Sequence, residues 1–150
     1  VNQKAAWHKK DQIEFFDLGV NYPAGNSYKL RPGDEKEKKK FSIKKIIVPA
    51  INLDDYCLEK KIKPTFIKLD AEQAEFKIMQ GMSRILKEDR PVIVMETWGW
   101  EDAVENYENA INLLLEADYV PYIVFKNELV EYRPIKPYLF INVIFLPSRL

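Results

Sequence analysis

The chain has 150 residues, 47% of them apolar, and its 23 basic and 23 acidic side chains cancel. That length suits one domain with a sizeable core, and the missing net field argues against nucleic acid or an anionic membrane as the main partner. One cysteine, Cys57, excludes an internal disulfide, and with a single histidine, His8, a structural zinc site has too few ligands. No apolar run approaches the roughly 20 residues of a membrane span and no signal peptide is evident, so a reducing, cytoplasmic setting is expected.

Short strand-like runs at Val1 to Trp7 and Ile13 to Phe16, separated by a polar stretch, predict a hairpin. From Leu18 to Lys40 a loop with glycine and proline ends in the mixed-charge run Glu35 to Lys40, which reads as a solvated surface segment. Ser42 to Ile51 reads as a strand, and Leu53 to Ile62 as a short helix with Leu53, Tyr56 and Cys57 on its inner side. Thr65 to Asp70 is apolar on both faces except Lys68, the pattern of a covered strand in a parallel sheet. Phe76, Met79, Met82, Ile85 and Leu86 then recur at spacings of three and four, predicting one helix lying on that sheet.

Arg90 to Thr97 is a second nearly continuous apolar strand, with Glu96 near its carboxyl end. Val104, Tyr107, Ile111, Leu114 and Leu115 form the next helical stripe. A strand at Tyr119 to Phe125, a turn at Lys126 to Glu128, a strand at Leu129 to Arg133 and a last one at Leu139 to Leu146 follow. The alternation of strand and helix with a strand-rich tail predicts an α/β fold, an open and mostly parallel sheet with crossover helices and antiparallel C-terminal strands.

In such sheets ligands bind outside the carboxyl ends of parallel strands, where loops part and helix N-termini point. Asp70 and Glu72 leave one such strand, Glu96 leaves the next, and Glu75 begins the following helix. Asp70 also fits a plain helix cap and Glu75 a favourable first-turn charge, each worth about 1 kcal/mol. Neighbouring carboxylates at Asp70 and Glu96 repel unless a proton or cation lies between them. Mg²⁺ or Ca²⁺ meets that need, as does the sulfonium of a methyl donor, and one carboxylate would alternatively serve as a general base. Trp98 and Trp100 either stack on a ligand or anchor the loop. His8 reads as a solvated turn residue and Cys57 as a small buried hydrophobe.

The run from Ile51 to Thr97 resembles FkbM-type methyltransferases. It carries Leu53-Asp54-Asp55-Tyr56, Ile67-Lys68-Leu69-Asp70-Ala71-Glu72, Glu75, Gly81, Arg90-Pro91 and Glu96 at the spacing of that family. Upstream, Val1 to Phe16 is similar to the family's third strand and hairpin, and Gly25 to Ser27 to its next loop; Phe140 to Pro147 is similar to its last strand. The resemblance implies a class I, Rossmann-like fold that uses S-adenosylmethionine to methylate an oxygen of a sugar or other small metabolite. It places Asp70 by donor and acceptor, Glu72, Glu96 and Trp98 on the acceptor side, and Ala6 and Trp7 near the adenine.

The chain departs from that family in two ways. Gln73 stands where the family has glycine, at a strand-to-helix turn that favours positive φ. A G-x-G element and the family's first two strands are also missing, so residues 1–150 are expected to be a single partial domain, the C-terminal portion of a longer polypeptide. The Thr65 to Asp70 strand would then offer an apolar edge through which copies of the chain pair. A non-catalytic interaction module that kept the sheet but lost the donor pocket is the alternative from another class. Half of a nicotinamide-dependent dehydrogenase ranks behind both, because its fingerprint is missing too.

Overall fold

In the computed structural model, residues 3–18, 27–30, 43–97, 103–133 and 141–148 are described. The first sheet has the order β1-β3-β2, from Ala5–Ala6, Lys44–Ile51 and Asp11–Asp17 respectively. β1 runs parallel to β3, with Ala6 beside Ile51, while β2 runs antiparallel to it from Asp11↔Ala50 to Asp17↔Lys44. The expected hairpin between the first two strands therefore does not form. Each takes one edge of β3, a long-range pairing that no local turn signal announces.

Helix α1, Leu53–Lys60, starts at Asn52, whose side-chain oxygen accepts the Asp55 N–H at 2.7 Å while its amide donates to the Asp55 carboxylate at 2.7 Å. This reciprocal cap satisfies a donor the first turn leaves open. The adjacent Asp54 reaches another element, where its carboxylate accepts the N–H of Arg84 at 2.8 Å and of Ile85 at 3.0 Å. One pair of aspartates thus starts two helical segments.

The second sheet has the order β4-β5-β8-β6-β7. Its strands are Phe66–Leu69, Val92–Thr97, Ile141–Pro147, Tyr119–Phe125 and Glu128–Glu131. β4 and β5 pair in parallel; every other pairing in this sheet is antiparallel. The expectation of a mostly parallel open sheet is corrected accordingly: among the described residues both sheets are mixed. The crossover logic still operates, because β4, β5 and β6 share one direction. What it does not supply is the neighbour relation, for β8 runs the other way and fills the gap between β5 and β6. The C-terminal strands are antiparallel as expected. The β6–β7 turn has φ of 49° at Lys126 and 64° at Asn127, the doubly left-handed pair that suits a tight hairpin.

The Phe76 to Leu86 stripe faces the core as its spacing predicts, with Phe76 partly buried and Met79, Met82 and Ile85 fully enclosed. It is not one helix, however. Helix α2 covers only Glu75–Met79, and a π-helical turn spans Ile85–Asp89. The break falls at Gly81, where an added Cβ would lie 2.3 Å from the Trp7 carbonyl oxygen. Gly81 also accepts the Asp54 N–H at 3.0 Å. Close backbone approach, which only glycine permits here, takes precedence over helical continuity.

Helix α3, Val104–Glu116, turns Tyr107, Ala110, Ile111 and Leu114 into the core, whereas Leu115, expected on the same face, is 43% exposed. Leu69, Ile93, Met95, Val143, Phe145 and Tyr119 meet this layer from one face of the second sheet. Each large side chain so enclosed contributes about 1.5–3 kcal/mol. The opposite face of the sheet carries Lys68, Val94 and Glu96.

Candidate functional site

The β4–β5 register aligns Leu69 with Met95, both buried. Alternation sends the next residues, Asp70 and Glu96, to the opposite side of the sheet, at the carboxyl ends of adjacent parallel strands. Lys68 shares that side, and its Nζ lies 3.3 Å from Asp70 Oδ2 across side chains 39% and 49% exposed. An ion pair this open is worth little to stability. On the other flank of Glu96, its partner in β8 is the exposed Asn142, so a row of polar side chains crosses three strands. Asn142 went unnoticed in the sequence because its strand pairs with β5 from 46 positions away.

Past Asp70 the chain makes a turn in which two consecutive residues are left-handed, Glu72 with φ 50° and Gln73 with φ 75°. Neither is glycine, and the conformation costs roughly 1–2 kcal/mol per residue. The strain expected of Gln73 is real, and side chains from elsewhere hold it in place. The Ser27 hydroxyl donates to the Glu72 carbonyl at 3.0 Å, and the Tyr28 hydroxyl to the Gln73 carbonyl at 3.1 Å. Two such bonds, about 1 kcal/mol each, are of the size of the strain they oppose.

Glu75 lies below this turn. It is 1% exposed and far from the surface charge that a helix first turn usually displays. Its Oε1 accepts the Ala71 N–H at 2.9 Å and its Oε2 accepts from the Asn106 amide at 2.8 Å; Asn106 Oδ1 in turn accepts the Phe76 N–H at 3.2 Å. Burial pushes the Glu75 carboxyl above the usual range, although these hydrogen bonds act the other way. Burial, and after it the charge of Glu75, raises the Tyr28 phenol too.

The two residues expected near an adenine face different surroundings. Trp7 is 9% exposed and packs edge-on to Tyr28 with ring centroids 5.0 Å apart, which ties β1 to the Glu72–Gln73 turn through one side chain. Ala6 lines a cavity of ≈ 80 Å³ with Lys4, Ile51, Leu53 and Tyr56. His8 is partly buried rather than solvated, and burial followed by Lys77 lowers its pKa. Burial likewise raises the Cys57 thiol, consistent with an unreactive core cysteine. Trp98 and Trp100 lie outside the described residues. Among the described residues, no group of three or more His, Cys, Asp or Glu side chains gathers as a metal site, so the divalent-cation expectation finds no support. No described helix is long and apolar enough to cross a membrane.

A family model described as the methyltransferase FkbM domain matches residues 2–121. The fold is similar to that of the crystal structure of methyltransferase FkbM from Methylobacillus flagellatus KT, with a TM-score of 0.53 and 16% identity. That likeness covers 97% of this chain and 28% of the other, so this chain spans little more than a quarter of its length. No curated protein matches the chain.

Proposed function

We propose that this chain, which belongs to the methyltransferase FkbM domain family, serves S-adenosylmethionine-dependent transfer of a methyl group to an oxygen of a sugar or other small metabolite. The observation that carries the reading is the delivery of Asp70 and Glu96 to one side of the sheet by two aligned parallel strands. Two carboxylates so placed favour a positively charged guest. Asp70 and Glu96 suit a sulfonium donor that displaces the exposed Lys68 ammonium from Asp70, and the family resemblance sets Ala6 and Trp7 toward the adenine end. When bound, the donor supplies a methyl carbon made electrophilic by the positive sulfur.

The chain's own residues do the rest. Glu72 and Glu96 line the acceptor side and hold its hydroxyl, and one of them takes the proton as the oxygen becomes a nucleophile. Positioning supplies most of the rate in such a displacement, which gives the tethered turn after Asp70 its value. The partner is a small molecule rather than nucleic acid or membrane, and the setting is cytoplasmic.

One observation favours the second reading, a non-catalytic module. The Gln73 side chain, 9% exposed, occupies space that glycine would leave open to a ligand. Thermal denaturation with adenosylhomocysteine separates the two. A ligand at 100 times its Kd adds about 2.7 kcal/mol of stability, and a melting curve of the full-length polypeptide that does not move at millimolar ligand favours the module.

A further inference from the structure

We propose that Glu75 and Asn106 are positioning residues, a buried clamp that sets the shape of the Asp70–Ala74 turn before any ligand arrives. The inference rests on the methyl-transfer reading for its purpose, but its structural content stands apart from it. Asn106 is partly buried and Glu75 fully so, whereas Asp70 is exposed. Glu75 is 1% exposed, and its two carboxylate oxygens each take one specific donor, the Ala71 N–H and the Asn106 amide. Asn106 comes from α3, and its other end accepts the Phe76 N–H at the start of α2. One side chain therefore fixes the helix start and, through Glu75, the first residue after Asp70.

A buried carboxylate costs more to retain than a neutral group unless its hydrogen bonds are complete. A leucine here would satisfy the core. A carboxyl side chain that instead holds a backbone N–H next to a doubly left-handed turn suits a demand for shape, since strained turns persist where the surroundings over-determine them. The clamp holds the Ala71 N–H of the turn while Ser27 and Tyr28 hold its carbonyls at Glu72 and Gln73.

The donor and acceptor pattern makes the clamp testable by exchange of parts. Glu75→Gln alone sets an amide NH₂ against the Asn106 NH₂, and Asn106→Asp alone sets two carboxylates together. The double variant E75Q/N106D restores every bond, with the glutamine donating to the new carboxylate and that carboxylate accepting the Phe76 N–H.

Amide hydrogen exchange on the ligand-free protein reads the turn at Ala71, with Ile93 in the core reporting global opening. Calorimetric titration with adenosylhomocysteine reads the site. Losing a hydrogen bond to a charged group corresponds to roughly ten- to a hundredfold. Asn106→Ala should therefore speed Ala71 exchange about tenfold or more relative to Ile93 and weaken adenosylhomocysteine binding by a similar factor. The double variant should restore both to within about threefold.

Faster Ala71 exchange with unchanged binding would overturn the positioning role. So would a double variant no better than either single one. If the unmodified protein fails to bind adenosylhomocysteine, the donor reading fails, and Ala71 exchange in Asn106→Ala and in E75Q/N106D decides the clamp alone.

Discussion

Replacing Gly81 with alanine tests the packing that joins β1 to the site. The new Cβ would stand 2.3 Å from the Trp7 carbonyl oxygen, 2.8 Å from Asn52 Cβ and 3.0 Å from His8 Cα. Two of these neighbours are backbone atoms, so no flexible side chain can swing away, and β1 itself must move. Overpacking costs typically 1–3 kcal/mol, and the backbone contacts place this case at the upper end. In a chain of this length each kcal/mol shifts Tm by about 2–4 °C, so Gly81→Ala should lower it by about 6–12 °C. Scanning calorimetry provides the number. Because Trp7 supports Tyr28, whose hydroxyl holds the Gln73 carbonyl, fluorescence of Trp7 should shift as well. A Tm within about 2 °C of the parent would refute the close approach, and with it the explanation of why the Phe76 to Leu86 stripe breaks.

Three further outcomes follow from the same geometry. Gln73→Gly removes the left-handed strain but loses side-chain burial and gains unfolded-state entropy, so its stability should stay within about 1 kcal/mol, whereas β-branched Gln73→Val should cost more than about 2 kcal/mol by urea unfolding. The raised Glu75 pKa gives stability that is present below the unfolded value of about 4.3 and lost as pH rises through the folded value. The stability of Glu75→Gln relative to the parent should thus climb across that window in urea titrations, and a flat or falling difference would contradict the burial of the charge. Finally, among the described residues β4 lies at the edge of its sheet with Phe66 59% exposed, and we propose that copies pair there; sedimentation should show a dimer that Phe66→Lys dissociates, and a clean monomer would dismiss the pairing.

The sequence was most legible where one physical signal dominates. Continuous apolar runs located β5 and β6, the spacing of Tyr107, Ile111 and Leu114 oriented α3, and the polar Lys126-Asn127 pair marked its turn. Asp70 and Glu96 were visible because strand ends in α/β sheets gather ligands, and the register pairs the residues just before them, Leu69 with Met95. Long-range pairing was not legible. The insertion of β8 between β5 and β6 and the separation of β1 from β2 depend on neighbours chosen by the whole core. Glu75 read as an ordinary first-turn charge, since nothing local reveals that Asn106, 31 positions on, waits for it inside. Ser27 and Tyr28 sat in a loop with no periodicity, and only the fold shows that their hydroxyls secure a strained turn.

The central claim, that Asp70 and Glu96 together receive a positively charged guest, is tested most directly by comparing two ligands that differ chiefly in that charge. Titration calorimetry of S-adenosylmethionine and adenosylhomocysteine against the parent and against D70N/E96Q gives the ratio of their affinities. Neutralising both carboxylates should shift that ratio against the sulfonium by about tenfold or more, equivalent to at least about 1.4 kcal/mol. An unchanged ratio, with both ligands weakened or retained alike, would contradict the account.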